Sequence, residues 1–428
     1  MVFAKRGRVF LEPLFYIAVG HIVYFSLPLN NTDQNNTVAL AHLGASAGLL
    51  LGYYTLKVML PTRRDIERLV IDNPAVQRTF LIICLSVSIW APALAVFQGY
   101  SVFDVLTRFY ARGEYGGGLT RVPWYVAYLG SGFGHLPMLG ICLGRIWLNF
   151  RNDYLTKFLW LTLLTVHSLL TFSSGVRSGL LFLYLVLFLA EVYSTQTFRN
   201  RDAFSRRLGK YVRYGLGALL ITVAISFLSE YRYTRFTSFA SLWQAVTMSV
   251  RASAADEKSG FTEAVRQNLN ESVAFTLEHF GNGEELPYGY SFYAAICNIV
   301  PRELWEHKPV GFGKVLAHRI TGGSAPMEIQ GFSAAAGLGG EGYANFGAPG
   351  PIIAGIMMSL LLYLLFRSLL QTNDLMTVGL CLLAFSWITG WYRGDWLNVN
   401  VVFYQWVTAY VIFRTLRFFS PVCFVSVK

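Results

Sequence analysis

The chain has 428 residues, 54% hydrophobic and 14% charged, with a mean hydropathy of +0.44. Soluble domains carry about 25% charged residues, so the composition excludes a string of soluble domains and points to a single membrane domain. The formal net charge of +11 is not a nucleic-acid footprint, because the Lys and Arg cluster beside apolar stretches, where anionic headgroups lie.

A membrane span needs about 20 mostly apolar residues. Ten stretches are candidates: 10–29, 38–60, 79–99, 123–147, 158–173, 178–194, 214–229, 347–370, 376–392 and 398–415. The first follows Lys5, Arg6 and Arg8 and lacks a small-residue cleavage site, so it is expected to be retained. Basic residues set the orientation. With the N-terminus inside, segments 1–9, 57–78, 145–157, 199–213, 367–375 and 414–428 face the cytoplasm and hold 21 of the 35 Lys and Arg. An even span number returns the basic C-terminus to the same side. The predicted fold is an all-α polytopic membrane protein, one transmembrane domain over residues 1–428 with a large, partly helical exterior loop at 230–346. Residues 61–78 and 199–213 mix Arg with apolar residues and are expected to be helices at headgroup level.

Five cysteines, Cys84, Cys142, Cys297, Cys381 and Cys423, form no CxxC pair, which argues against a disulfide framework or a zinc site. No GxxxxGK[ST], HExxH or DxD motif is present. No cofactor and no metal are therefore expected, with Arg and Lys supplying charge stabilisation.

The exterior loop holds nine Lys/Arg and twelve of the chain's 24 Asp/Glu. Within it, Phe261, Val265, Leu269, Val273, Leu277 and Phe280 recur at helical spacing. Residues 291–300 are apolar but too short to span. Residues 331–347 are rich in Gly and Ala, so backbone there is expected to approach a ligand closely.

Arg177 stands between Gly175 and Gly179 where spans five and six meet. An Arg at that depth is costly unless it pairs or faces water. It either grips a phosphate bidentately or snorkels to the interface. Arg232 and Arg235 leave span seven and offer further cations, for a diphosphate or for lipid headgroups. Pro301 and Pro309 bracket Arg302, Glu303, Trp305, Glu306, His307 and Lys308. Arg302 and Lys308 suit anionic oxygens, and Trp305 suits either a sugar ring or the membrane interface. Glu341, in Gly339-Gly340-Glu341-Gly342, is the first candidate general base, with Asp395 beside Arg393 and His318 beside Arg319 as rivals.

Taken together in order, Ser174-Gly175-Val176-Arg177-Ser178-Gly179, Pro287-Tyr288-Gly289, Ile299-Val300-Pro301-Arg302 with Trp305 and Lys308-Pro309, Glu341-Gly342 with Asn345-Phe346-Gly347, and Arg393-Gly394-Asp395 resemble the Wzy-type polymerases of bacterial O-antigen and exopolysaccharide assembly. The resemblance covers roughly the second half of the chain. From Arg319 the glycine falls at 331, one position beyond the Arg-x10-Gly spacing of loop motifs in some such polymerases.

The resemblance implies a multi-pass protein of the bacterial inner membrane with cytoplasmic termini, a periplasmic 230–346 loop and a GT-C-like architecture. It implies undecaprenyl-diphosphate-linked glycans as donor and acceptor, and a chain-length-determining co-polymerase as partner. Arg177, Arg302 and Arg393, with Arg232 and Arg235, would then meet the diphosphate, Tyr288, Trp305 and Tyr343 the sugars, and Lys308, Arg319 and Asn345 would join the substrate-binding set. An O-antigen ligase, a lipid-linked glycan transporter and a structural scaffold stand as alternatives. Transport predicts charges at mid-span facing a central path, and these are scarce.

Overall fold

The computed structural model describes residues 32–60, 68–97, 133–150, 153–173, 177–197, 270–281, 288–298, 300, 304–322, 334–393, 396–419 and 422–426, with isolated helical positions in 14–21 and 217–248. Twelve described helices and one two-stranded ladder make up this part. They are α1 (Thr32–Met59), β1 (Arg68–Asp72), α2 (Pro74–Phe97), α3 (Leu136–Phe150), α4 (Tyr154–Ser173), α5 (Arg177–Thr197), α6 (Asn270–Gly281), α7 (Tyr290–Cys297), α8 (Phe312–Ile320), α9 (Gly337–Phe346), α10 (Gly350–Gln371), α11 (Leu375–Tyr392), α12 (Trp396–Phe418) and β2 (Val422–Ser426). Three are long and apolar enough to cross a membrane, over Gln34–Met59, Tyr154–Phe172 and Gly350–Gln371. Pro74–Trp90, Leu136–Phe150, Gly179–Ser194 and Leu375–Ile388 are shorter apolar helices.

Eight of the ten apolar stretches coincide with helices α1 to α5 and α10 to α12. Stretches 10–29 and 214–229, and segment 199–213, lie largely outside the described residues.

Contacts along the helices give their directions. Gly44, Gly48 and Gly52 of α1 face Pro351, Ile352 and Ser359 of α10 in the same order, so the two run parallel. The absence of side chains at these glycines lets the backbones touch: a Cβ on Gly48 would collide with the Ile352 carbonyl. Gly355 returns the fit against Ala45 and Leu49. This spacing of small residues every four positions is how helices pack where the solvent is itself apolar. On α3, Gly140 meets Cys84 of α2 and Gly144 meets Trp160 of α4, whose indole Nε1–H donates to the Ile141 carbonyl at 2.9 Å. From His135 to Arg145, α3 passes Trp387 and then Gly379 of α11, while its Arg145 end reaches Glu191 of α5. Hence α11 runs antiparallel to α3 and α5.

These directions give the bundle two ends. Four ion pairs are described at one of them. Arg78 at the start of α2 binds Asp153 at 2.9 Å, Arg145 binds Glu191, and Arg417 near the end of α12 binds both Asp72 and Asp374 at 2.5 Å. Asp153 also caps α4, accepting the Thr156 N–H at 3.1 Å. The Tyr363 hydroxyl donates to the Leu60 carbonyl at this end.

Here the structure departs from a purely helical reading. Segment 61–78 was expected to be one surface helix, and 61–67 lie outside the described residues. Arg68–Asp72 instead form a strand, paired antiparallel with Val422–Ser426 in the register Arg68↔Ser426 to Asp72↔Val422. β-Branched Val70, Ile71, Val422 and Val425 suit a ladder. The Val70 N–H also donates to the Asn373 carbonyl at 2.9 Å, docking the ladder on the α10–α11 turn. Helix starts only at Pro74, with Asn73 as its cap through the Ala75 N–H at 3.0 Å.

A candidate site at the Arg177 and Arg393 helix ends

The other end carries the Arg177 and Arg393 turns. Arg177 is the first residue of α5, and Arg393 follows the last residue of α11. Phe182 and Trp387 pack at 4.1 Å between ring centroids, five residues from Arg177 and six from Arg393. At 1.5 Å rise per residue, both residues lie roughly 8–9 Å from that contact. Two chain reversals carrying arginine thus lie side by side on antiparallel helices.

Helix α9 lies at the centre of what surrounds them. It forms a tight hairpin with α10 through Gly347, whose φ of 65° ends the helix and whose N–H donates to the Tyr343 carbonyl at 2.8 Å. Its glycines make the packing close. A Cβ on Gly342 would lie 2.5 Å from the Gly350 carbonyl, and one on Gly339 2.8 Å from the Ala41 carbonyl of α1. The Gly/Ala-rich segment 331–347 was expected to leave backbone free for a ligand. From Gly337 on it is helix instead, and those two glycines admit neighbouring helices.

Glu341 is correspondingly not at a flexible rim. It is 0% exposed, and its carboxylate accepts the Trp396 N–H, at 3.2 Å to Oε2 and 3.5 Å to Oε1. Trp396 opens α12, so the acid faces the positive end of a helix dipole, worth up to about 2 kcal/mol in partly buried geometry. Asn345, one turn further on, spends both ends of its amide internally. Its Nδ2 donates to Ser291 Oγ at 2.8 Å and to the Glu341 carbonyl at 2.7 Å, and its Oδ1 accepts the Ser291 N–H at 3.0 Å. That ties α7 to α9, and Phe292 of α7 packs on Trp396 at 4.9 Å. Asn345 was expected among the substrate-binding residues; its side chain is buried and fastens two helices.

Lys308 is likewise occupied. Its ammonium donates to the Asn298 side-chain oxygen at 3.0 Å and the Val300 carbonyl at 2.8 Å, closing the turn between α7 and α8. A lysine expected to meet substrate phosphate therefore staples its own loop. Trp305 is half-buried and its carbonyl accepts the Lys308 N–H at 3.0 Å. Tyr288 is 81% exposed, immediately before Gly289. His318 and Arg319 lie in the last turn of α8, and the Arg319 guanidinium sits 4.6 Å from the Phe280 ring centre. Phe280, Phe312, Val315, Leu316, Ala336 and Ala344 form a small apolar core that joins α6, α8 and α9. Tyr343 is half-buried against the main core. Of the other site candidates, Arg232, Arg235, Arg302 and Asp395 lie outside the described residues.

Sequence inspection missed Ser291, Trp396 and His42. Trp396 was signalled: it opens an apolar stretch straight after Arg-Gly-Asp, and the first amides of a helix need acceptors. His42 Nε2 lies 3.3 Å from Asn270 Oδ1, joining α1 to the start of α6, and nothing in the local pattern points to that pairing.

No protein-family model matches the chain, and no curated protein or solved structure matches it.

Proposed function

We propose that the chain is a multi-pass glycosyltransferase of the bacterial inner membrane that polymerises undecaprenyl-diphosphate-linked repeat units on the periplasmic face. The reading takes the apolar stretches as ten spans and 230–346 as the periplasmic loop. The acceptor hydroxyl oxygen attacks the donor's anomeric carbon, the carbon–oxygen bond to diphosphate breaks, and undecaprenyl diphosphate departs with the electron pair. The hydroxyl proton passes to a base on the same face, for which Asp395 and His318 are candidates. Cations at Arg177, Arg302 and Arg393 would offset the charge growing on the leaving diphosphate.

The observation that carries this is the juxtaposition of the Arg177 and Arg393 helix ends at one end of the bundle, beside helices of the long polar segment.

The test is purified protein in lipid with the undecaprenyl-diphosphate repeat unit as sole substrate, with EDTA present. A ladder of lipid-linked oligomers is expected. Transfer only after lipid A core is added would make the chain a ligase. Binding of native glycan without release of undecaprenyl diphosphate would indicate a transporter.

A further inference from the structure

We infer that Glu341 is a positioning residue, not the proton acceptor, at this face: its carboxylate fastens the start of α12 and thereby limits the movement of Arg393, three residues before it. The inference rests on the transferase reading for its meaning in catalysis, and on geometry for the hold itself.

Three observations carry it. Glu341 is 0% exposed, and α9 packs tightly on α1 and α10 at Gly339 and Gly342, which fixes the helix that carries the carboxylate. Its oxygens face the Trp396 N–H. A buried carboxylate stays charged only where donors and positive dipoles meet it. Finally, the hold is shared: Asn345 pins α7 to the same turn of α9, and Phe292 of α7 presses on Trp396. Arg393 is three residues from Trp396, so whatever fixes that amide limits how far the Arg393 turn can swing. Displacing a substrate-positioning group by about 1 Å costs on the order of 10²-fold in rate.

The experiment compares Glu341→Gln and Glu341→Ala with the unaltered full chain in proteoliposomes. Polymerisation is followed as kcat and KM across pH, and hydrogen exchange is followed at residues 393–400. Glu341→Gln keeps an oxygen for the Trp396 amide. It should hold kcat within about tenfold, with the shape of the pH profile unchanged and the turn protected. Glu341→Ala should speed exchange at the turn and lower kcat by about 10²-fold. The inference is overturned if Glu341→Gln is as inactive as Glu341→Ala and loses the acidic limb of the pH profile while exchange stays normal, since a general base behaves that way. Unchanged exchange in Glu341→Ala overturns it as well. If the unaltered chain makes no polymer, the transferase reading fails, and the exchange comparison alone still decides whether Glu341 holds the turn.

Discussion

Replacing Arg417 by Ala should unfasten the ladder at the paired end, and by an amount that depends on pH. Arg417 is the common partner of Asp72 and Asp374; the side chains are 10%, 0% and 15% exposed. Asp72 Oδ2 is buried with no hydrogen-bond partner among the described residues, so its charge depends heavily on Arg417. Burial already raises the Asp72 carboxyl above its ordinary value, against the hydrogen bond and charge of Arg417, which lower it. Removing one partner of a buried pair costs about 3–5 kcal/mol. An independent bound follows from protonation: neutralising a carboxyl of ordinary pKa about 3.9 at pH 7 costs roughly 4 kcal/mol, at 1.36 kcal/mol per unit. The two agree. A group whose folded pKa is raised binds more protons folded than unfolded, so the variant's defect shrinks as pH falls toward 4, by about 1.4 kcal/mol per unit. Hydrogen-exchange protection factors of the 68–72 and 422–426 amides measure this. Arg417→Ala should lower them by about 10²–10³-fold at pH 7 and by tenfold less at pH 6. Adding Asp72→Asn and Asp374→Asn to Arg417→Met should restore much of the loss, because no charge is then left unpaired. Protection unchanged in Arg417→Ala, or a defect independent of pH, would refute the reasoning.

Three further outcomes are expected. Asp153, held by Thr156 first and then by Arg78, has its carboxyl pulled down to about 2. Its contribution is present above the unfolded value near 3.8 and is lost as pH falls through about 2, so exchange at the start of α4 should rise across that window and Asp153→Asn should remove the dependence. Gly48→Ala sets a Cβ on the Ile352 backbone, where neither helix can yield; a loss of about 3 kcal/mol, the upper end for overpacking, should appear as a lower thermal midpoint in detergent. Arg177→Ala should abolish or shorten polymer at equal protein level, and normal polymer would remove Arg177 from the diphosphate site.

Much of the scaffold was readable along the chain. Apolar stretches of about 20 residues marked where long helices form, since a backbone among apolar groups satisfies its own polar atoms best as helix. Arg78, Arg145 and Arg417, from three of the basic junctions, each form an ion pair. Residues 61–78 were harder: Arg interleaved with Leu, Val and Ile suits an amphipathic helix as well as a strand, and the choice fell to β2, some 350 residues away, together with Asn373.

At the site, sequence supplied the residue types and the reversals, while tertiary structure supplied the roles. Gly339 and Gly342 read as room for a ligand because a glycine announces only that something approaches; that the neighbours are α1 and α10 is a fact of packing. Glu341, Asn345 and Lys308 read as ligands for substrate because a polar group in an apolar chain must have a partner. Which partner it has depends on which helix ends are brought beside it, and that is set by long-range contacts with no local signature. The sequence alone determined an apolar, mainly helical chain with a polar segment rich in charge. Only the fold decided that three of those polar side chains hold the protein's own backbone.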